Sequence, residues 1–481
     1  MLDAKAIEKI GLKYIVDSIK IRSYYGKQLL KDNMNVTIKS FNQDEQSLTK
    51  TYDNIEHFIK ISDEVELHLL SPLFDNIKDI SMHIKAIEDG QVLDTVALYE
   101  LKIQIIQFNK IGSLLNEFLP MELRLVNLFD LFKVLNPEER ITEDFHVYNF
   151  YSKHLSAIRS RKSSLEAAYF KETNPEKKQR IRDERADVVL EEANEEYEVR
   201  KNLTKRIKEY LHAVKANIIN IAEIDVLFAK AHFAMKTNSV RPLLGDCIHL
   251  KNARSPYLMK TLEALDEDYQ PISINLTKGS TIITGANMGG KSSSVRTLLL
   301  NVLMAHLGFY VFCDQATISV CDAVHLIQSD EDNSLHGLST FGVEVIKLNQ
   351  TIERLKNDEV HLIIVDEFAR STNPNEGMKF VKTLARFANK YDSFTVLTTH
   401  FDDVPEKGMT HYQVKGFIGT DQKFDKNDFR KQISKYMDYS LIEVDYSKVV
   451  PKDALNIARL LDLDTDFERD LISLYKEEVN E

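Results

Sequence analysis

Between Ser280 and Leu307 the chain reads STIITGANMGGKSSSVRTLLLNVLMAHL. A β-branched run, a glycine-rich bend and a leucine-rich helical run follow one another without a spacer, and few architectures accommodate that order. The bend satisfies G-x-x-x-x-G-K-[ST] from Gly285 to Ser292. Glycines there let successive backbone N–H groups turn inward around phosphate oxygens, and the following helix adds the positive end of its dipole. In that setting Lys291 is matched to β- and γ-phosphate charge, and the Ser292 hydroxyl is matched to a magnesium ion. With only 16 glycines and 10 prolines in 481 residues, long regular elements are expected and a glycine cluster is informative.

Phosphate binding alone does not imply hydrolysis, which needs a further metal ligand and a base. HLIIVDEF supplies candidates: Leu362 to Val365 read as a buried strand ending in Asp366 and Glu367. An aspartate at such a strand end helps hold magnesium, and a glutamate beside it can polarise water. Another strand-like run, FTVLTTH, ends in His400, which from a neighbouring strand can reach the γ-phosphate. The runs PISINL, STIITG, YVFC, VHLIIVD and SFTVLTTH alternate with helical segments after Arg241-Pro242, which predicts an α/β domain over 241–481 with a largely buried sheet.

The chain before that point reads as all-α, with apolar residues recurring every three or four positions, as in Ile7, Ile10, Leu12, Ile15 and Ile19. Residues 1–144 are expected to form a helical core and 145–240 a hairpin of two long antiparallel helices. Val199, Leu203, Ile207, Tyr210, Val214, Ile218, Ile221 and Leu227 form its stripe. In KETNPEKK, Asn174 suits an N-cap and Pro175 a first turn, so the hairpin should bend near Thr173. Around that bend lie Arg159, Arg161, Lys162, Lys177, Lys178, Arg180, Arg182 and Arg185, interleaved with Glu172, Glu176, Asp183, Glu184 and Asp187. The plainer reading is a solvated hairpin of mixed charge; the functional one is a basic contact site for a partner.

Bulk composition excludes some classes. A net charge of -12 argues against a dedicated nucleic-acid binder coated in positive charge, although it leaves a local basic patch open. Cys247, Cys313 and Cys321 make no CxxC pair and read as small buried hydrophobes in a reducing compartment. The amphipathic, acid-bearing N-terminus lacks the apolar core of a signal peptide, and no run of about eighteen apolar residues indicates a membrane span. The expected location is the cytoplasm.

The motifs together resemble the MutS ATPases, relatives of the ABC ATPases. TGANMGGKSS is similar to TGPNMGGKST, with Ala286 in place of the proline, and LSTFGVEV from Leu338 resembles STFMxEM. VDEFARSTNPNEG resembles DE-x-x-R-G-T-x-x-x-x-G, with Ser371 for a glycine, and TTHF resembles the segment of the switch histidine. The stretch GFYVFCDQATISVCDAVHLIQSDEDNSLHG and the closing ALNIARLLDLDTDFERDLISLYKE also resemble family segments. The resemblance implies a P-loop NTPase α/β domain of ABC/MutS type, preceded by an all-α core and long antiparallel lever helices. It assigns nucleotide binding to Gly285, Asn287, Met288, Gly289, Gly290, Lys291, Ser292 and Ser293, magnesium to Ser292 and Asp366, and catalysis to Glu367 and His400. Ser339 matches the serine that one subunit offers to the γ-phosphate held by the other, which implies a homodimer with composite ATP sites.

Departures shape the functional expectation. The mismatch-reading, connector and clamp domains of full mismatch-repair MutS are not expected, nor the nuclease-like domain of the junction-binding branch, although TNPNEG is closer to that branch. The expected function is a dimeric MutS-type ATPase whose nucleotide cycle moves lever helices on a macromolecular target, with branched or distorted DNA favoured. The alternative is an ATP-driven protein-remodelling factor, such as one reactivating a cobalamin-dependent aminomutase. A nonhydrolysing nucleotide-sensing scaffold is a third idea, opposed by intact Lys291, Asp366 and Glu367.

Overall fold

The computed structural model describes residues 2, 4–39, 44–62, 67–138, 146–285, 290–328, 340–357, 359–370, 372–401, 403–417, 437–445 and 463–480. Up to residue 237 all regular structure among them is helical: α1 (Ala4–Ile10), α2 (Leu12–Ser18), α3 (Tyr24–Lys39), α4 (Glu45–Ile61), α5 (Leu67–Asp75), α6 (Ser81–Glu88), α7 (Thr95–Leu115), α8 (Phe129–Leu135), α9 (Lys153–Lys171) and α10 (Pro175–Thr237), with two short 3-10 turns. The chain forms two compact units. Ile21–Lys31 and His57–Ala229 make a helical unit, while Met1–Lys20, Asp32–Glu56 and Lys230–Glu481 make an α/β unit.

The helices of the first unit follow from caps and apolar periodicity. Asp94 caps α7 by accepting from the Ala97 N–H at 2.8 Å, and Leu98, Leu101, Ile105, Phe108 and Ile111 then fall on one buried face. Ser152 caps α9 by accepting from the backbone of His154 and Leu155. Asn174 accepts from Glu176 N at 3.0 Å and Lys177 N at 3.3 Å with Pro175 opening α10, so the chain reverses where the KETNPEKK break requires. Within α10, Val199, Leu203, Ile207, Val214 and Ile221 are buried at heptad-like spacing.

The α/β unit carries two sheets. One has the order β1 (Leu243–Leu244), β5 (Gln315–Ile318), β2 (Ile248–Ala253), β3 (Ile272–Leu276). The other runs β10 (Met437–Glu443), β9 (Thr410–Phe417), β4 (Gly279–Thr284), β8 (Phe394–Thr398), β7 (His361–Asp366), β6 (Ala323–Gln328), parallel from β9 to β6 and closed at one edge by antiparallel β10. Strands β4 and β8 are buried throughout and β7 up to its last residue, as a parallel sheet covered on both faces demands. Helices α11 (Pro256–Glu263), α12 (Lys291–His306), α13 (Thr340–Leu355), α14 (Pro374–Ala388) and α15 (Thr465–Asn480) complete the described elements.

Two features differ from the sequence expectation. YVFC is not a strand: Val311 makes a single bridge to Val240, the Cys313 N–H turns back to Val311 O at 3.1 Å, and the Phe312 N–H donates to Asn301 Oδ1 at 2.7 Å. A buried bend whose donor is satisfied by a side-chain amide has the same apolar signature as a buried strand. The other is the place of the N-terminal segments, which pack within the α/β unit. Tyr52 donates to Ala305 O at 2.8 Å, and Arg241 pairs with Asp53 and Glu56, each at 2.7 Å. Helical periodicity shows that a face is buried and not against what, so it carries no signal for this grouping. All three cysteines are free, with Cys313 and Cys321 buried. Among the described residues no helix is long and apolar enough to cross a membrane.

Candidate functional site

The site assembles where β4, β7 and β8 end and α12 begins. Gly290 caps α12 at a φ of 88°, a left-handed conformation, and a Cβ there would come within 2.8 Å of the Tyr439 ring. The motif thus needs glycine at this position for both backbone and space. Immediately after it, Lys291 is buried, 3% exposed, and folds back so that Nζ donates to Gly285 O at 2.7 Å. The same ammonium lies 3.6 Å from Glu367 Oε1. Burial lowers the Lys291 pKa, while Glu367 and then Asp366 work to raise it. A cation held out of water beside a helix N-terminus is a receptor for anionic oxygen.

Asp366, the last residue of β7, is held by hydroxyls. Its Oδ1 accepts from Ser292 Oγ at 3.1 Å and from Thr398 Oγ1 at 2.6 Å. The Thr398 oxygen accepts in turn from the Glu367 N–H at 3.0 Å. One threonine at the end of β8 therefore fixes both acids of the neighbouring strand end. Beyond β7 the backbone is strained: Glu367 and Ala369 sit at φ of 52° and 60° without being glycine. Such positions cost about 1–3 kcal/mol each and persist only where their surroundings hold them. Here the Ala369 N–H donates to Glu344 Oε2 at 2.9 Å, and Arg370 Nη1 donates to Glu367 Oε2 at 3.0 Å.

Next to these groups lies a cleft of about 340 Å³, lined by Gly290 to Ser294, Thr297 and Glu367, by the apolar or aromatic Leu258, Leu262, Tyr269, Ile272 and Tyr439, and by the polar Thr261, Glu267, Asp268 and Gln270. A cleft that combines a buried ammonium, hydroxyls and aromatic rings suits a ligand with both an anionic and a flat ring portion.

Of the residues expected from sequence, the structure brings Gly285, Gly290, Lys291, Ser292, Asp366 and Glu367 together, and Ser293 lines the cleft beside them. His400 is exposed two residues beyond Thr398, its ring against Phe401 with centroids 4.2 Å apart. Asn287, Met288, Gly289 and Ser339, together with Ala286 and Ser371, lie outside the described residues. Sequence reasoning gave no role to Thr398, Glu344 or Tyr439, although Glu344 stands at the glutamate of the STFMxEM resemblance. Thr398 stood in view in TVLTTH, where a hydroxyl just before a strand end facing two acids was the available signal. No local pattern announces Tyr439, which arrives from the far edge strand.

The hairpin bend presents its charges differently. Arg159 pairs with Glu192 at 3.0 Å and Glu196 at 2.6 Å, and Lys162 also pairs with Glu192. Arg161 pairs with Glu184 at 2.9 Å, and Arg185 with Glu166 at 2.6 Å. Arg182 donates to the Tyr169 hydroxyl at 2.9 Å, and Lys178 sits over the same ring. The mixed-charge hairpin is what these residues build.

Part of the chain resembles known proteins. Residues 281–460 match the family model described as MutS domain V. That part of the chain is similar to MutS domain V. That domain is a P-loop ATPase fold, in keeping with the glycine bend between β4 and α12. Over 225 residues the chain is 35% identical to DNA mismatch repair protein MSH3 of Candida glabrata, covering 45% of this chain and 21% of that protein. It is 32% identical over 219 residues to DNA mismatch repair protein MutS of Streptococcus uberis, covering 44% and 25% respectively. MSH3 of Vanderwaltozyma polyspora is 33% identical over 297 residues, 58% of this chain and 27% of the relative. The chain thus matches about a quarter of the length of these curated relatives, and the range 281–460 includes Lys291, Ser292, Asp366, Glu367 and Thr398.

Proposed function

We propose that the chain is a MutS-type ATPase acting on DNA, binding and hydrolysing ATP at the end of β7. The observation that carries this reading is the convergence of Ser292 and Thr398 hydroxyls on Asp366 Oδ1, with buried Lys291 and Glu367 alongside. That donor set fits magnesium–ATP: a hydroxyl and a carboxylate in contact suit a hard cation, and a buried ammonium at a helix N-terminus suits phosphate. Ser292 and Asp366 would hold the magnesium, which supplies neutralising charge to the phosphates. Lys291 offsets the β- and γ-phosphate charge, and Gly285, Asn287, Met288, Gly289, Gly290 and Ser293 complete the cradle. Glu367 accepts the proton of the attacking water, and His400 serves the γ-phosphate side. The rings of Tyr269 and Tyr439 and the apolar Leu258, Leu262 and Ile272 lining the cleft receive the remainder of the nucleotide.

The rest of the reading is supported by the relatives' names and by the motif pattern. Ser339 completes the nucleotide site of a partner copy, so that two composite sites close in a homodimer. Residues 1–144 form a core, 145–240 act as levers and 241–481 drive them, with distorted or branched DNA as the load. In a test, the protein should turn over ATP only with magnesium, sediment as a dimer when ATP is retained, and be stimulated by a branched duplex. Magnesium-independent turnover or none would overturn the ATPase reading. Turnover indifferent to DNA and stimulated by a copurifying protein would replace DNA by a protein client.

A further inference from the structure

We infer that Glu344 is a positioning residue for hydrolysis, the group through which α13 holds Glu367 in its working conformation. The inference rests on the ATPase reading above and adds a residue that the glycine bend and the DEF segment do not announce. Glu344 lies on the second turn of α13 with its carboxylate buried, 2% exposed, and Oε2 accepts from the backbone N–H of Ala369 at 2.9 Å. A buried carboxylate is costly unless its hydrogen bonds compensate, so its use on a peptide N–H two residues from the base calls for a reason.

The backbone supplies that reason. Glu367 and Ala369 both adopt left-handed φ, and a chain released from its anchors relaxes to the right-handed or extended region, swinging the Glu367 carboxylate away from Lys291. Thr398 anchors one end of the segment through the Glu367 N–H, and Glu344 anchors the other through the Ala369 N–H. Between them Phe368 is buried against Phe341 of α13 and Phe380 of α14. Gly377 lets α14 come close to the same segment, since a Cβ there would sit 2.9 Å from Ala369 O. The Ala369 backbone is thus held at its N–H by α13 and crowded at its C=O by α14, and the N–H anchor is the contribution of α13. A displacement of α13 would let go of Glu367 without touching Lys291, Ser292 or Asp366. Nucleotide binding and hydrolysis then depend on different helices, α12 for the first and α13 for the second.

The test is the single-turnover rate of ATP hydrolysis beside the equilibrium affinity for ATP, in the full-length protein. A small misplacement of a reacting group costs up to about a hundredfold, so Glu344→Ala should hydrolyse bound ATP about 30- to 100-fold more slowly with affinity within about twofold of wild type. Glu344→Gln, which keeps an acceptor oxygen, should stay within about threefold of the wild-type rate. Glu344→Asp, shorter by one methylene, serves where the alanine variant fails to fold and should be slowed with affinity kept. Ile352→Ala on the same helix is the control: it should lower the unfolding midpoint while leaving the single-turnover rate alone. An alanine or aspartate variant hydrolysing at the wild-type rate would overturn the inference, as would a glutamine variant as slow as alanine, or an equal slowing by Ile352→Ala. Wild-type protein that hydrolyses no ATP would bring down the ATPase reading itself, which is a distinct result because no variant is then needed to see it.

Discussion

The end of β7 and the bend of the α9–α10 hairpin both gather charge, and they handle it in opposite ways. At the hairpin, Arg159, Arg161, Lys162 and Arg185 each meet a glutamate across the two helices. Charge there joins the helices and cancels. At β7, Asp366 is held by two hydroxyls, which orient it without neutralising it, while Glu367, on strained backbone, meets both Arg370 and the buried Lys291. Charge there is kept for use. The difference teaches that a cluster of ionisable residues announces a site only when neutral groups or strained backbone hold it; acids paired with bases in solvent contribute cohesion and little else.

Replacing the neutral holder should break the comparison most sharply. Thr398→Val removes the acceptor of the Glu367 N–H and a donor to Asp366 while keeping the shape of the side chain. Hydrolysis should fall by about 10- to 100-fold, with a raised magnesium requirement, measured as turnover against magnesium concentration. Wild-type turnover in the Thr398→Val protein would mean that the two acids need no such support.

A second test uses the buried helix that carries Lys291. His306 of α12 is neutral, its Nδ1–H donating to Val302 O at 2.9 Å and its Nε2 accepting from the Cys321 N–H at 3.0 Å. Burial pushes its pKa down to about 4, against a weaker opposing effect of the Val302 carbonyl. An unfolded imidazole titrates near 6.5, so between that pH and about 4 the unfolded chain binds a proton that the folded one refuses. Stability should therefore be full above about pH 6.5 and decline by about 3 kcal/mol as pH falls to about 4. Urea midpoints at about pH 7 and about pH 4.5 should show the loss in wild type and a flatter response in His306→Leu. Equal slopes in the two proteins would remove His306 from the account.

The hairpin should give the smallest effects, graded by burial. Arg159 is half-buried, bonding Glu192, Glu196 and the Val147 carbonyl, and with Lys162 it holds the Glu192 carboxyl below its ordinary range although burial works against this. Arg159→Ala should cost about 1–2 kcal/mol in urea unfolding. Arg161→Ala, an exposed pair, should leave the midpoint where it is. An Arg161 variant as damaging as the Arg159 variant would show that the hairpin charges are more than cohesion.

Much of this was legible in the sequence because it is local. The bend from Gly285 to Ser292 needs its glycine at 290, the caps at Asn174 and Ser152 bond within three residues, and the apolar run before Asp366 can be buried only as a strand or core. What escaped is what distant segments bring. Thr398 meets Asp366 from 32 residues away, Tyr439 closes on Gly290 from an edge strand, and Tyr52 reaches Ala305 from a helix that reads like any other amphipathic helix. The YVFC error has the same root, since only the side chain of Asn301 reveals that this apolar run bends.

The central claim is that binding and hydrolysis are carried by separate charges at the end of β7, and the most direct test measures ATP affinity and ATP turnover in Lys291→Ala and Glu367→Gln side by side. Lys291→Ala should lose affinity by about a hundredfold or more, because the buried ammonium offsets phosphate charge. Glu367→Gln should bind ATP as tightly as wild type and retain it, with hydrolysis reduced by about a hundredfold or more, because the phosphate and metal ligands survive while the proton acceptor is lost. Equal loss of ATP affinity in both variants would contradict the account.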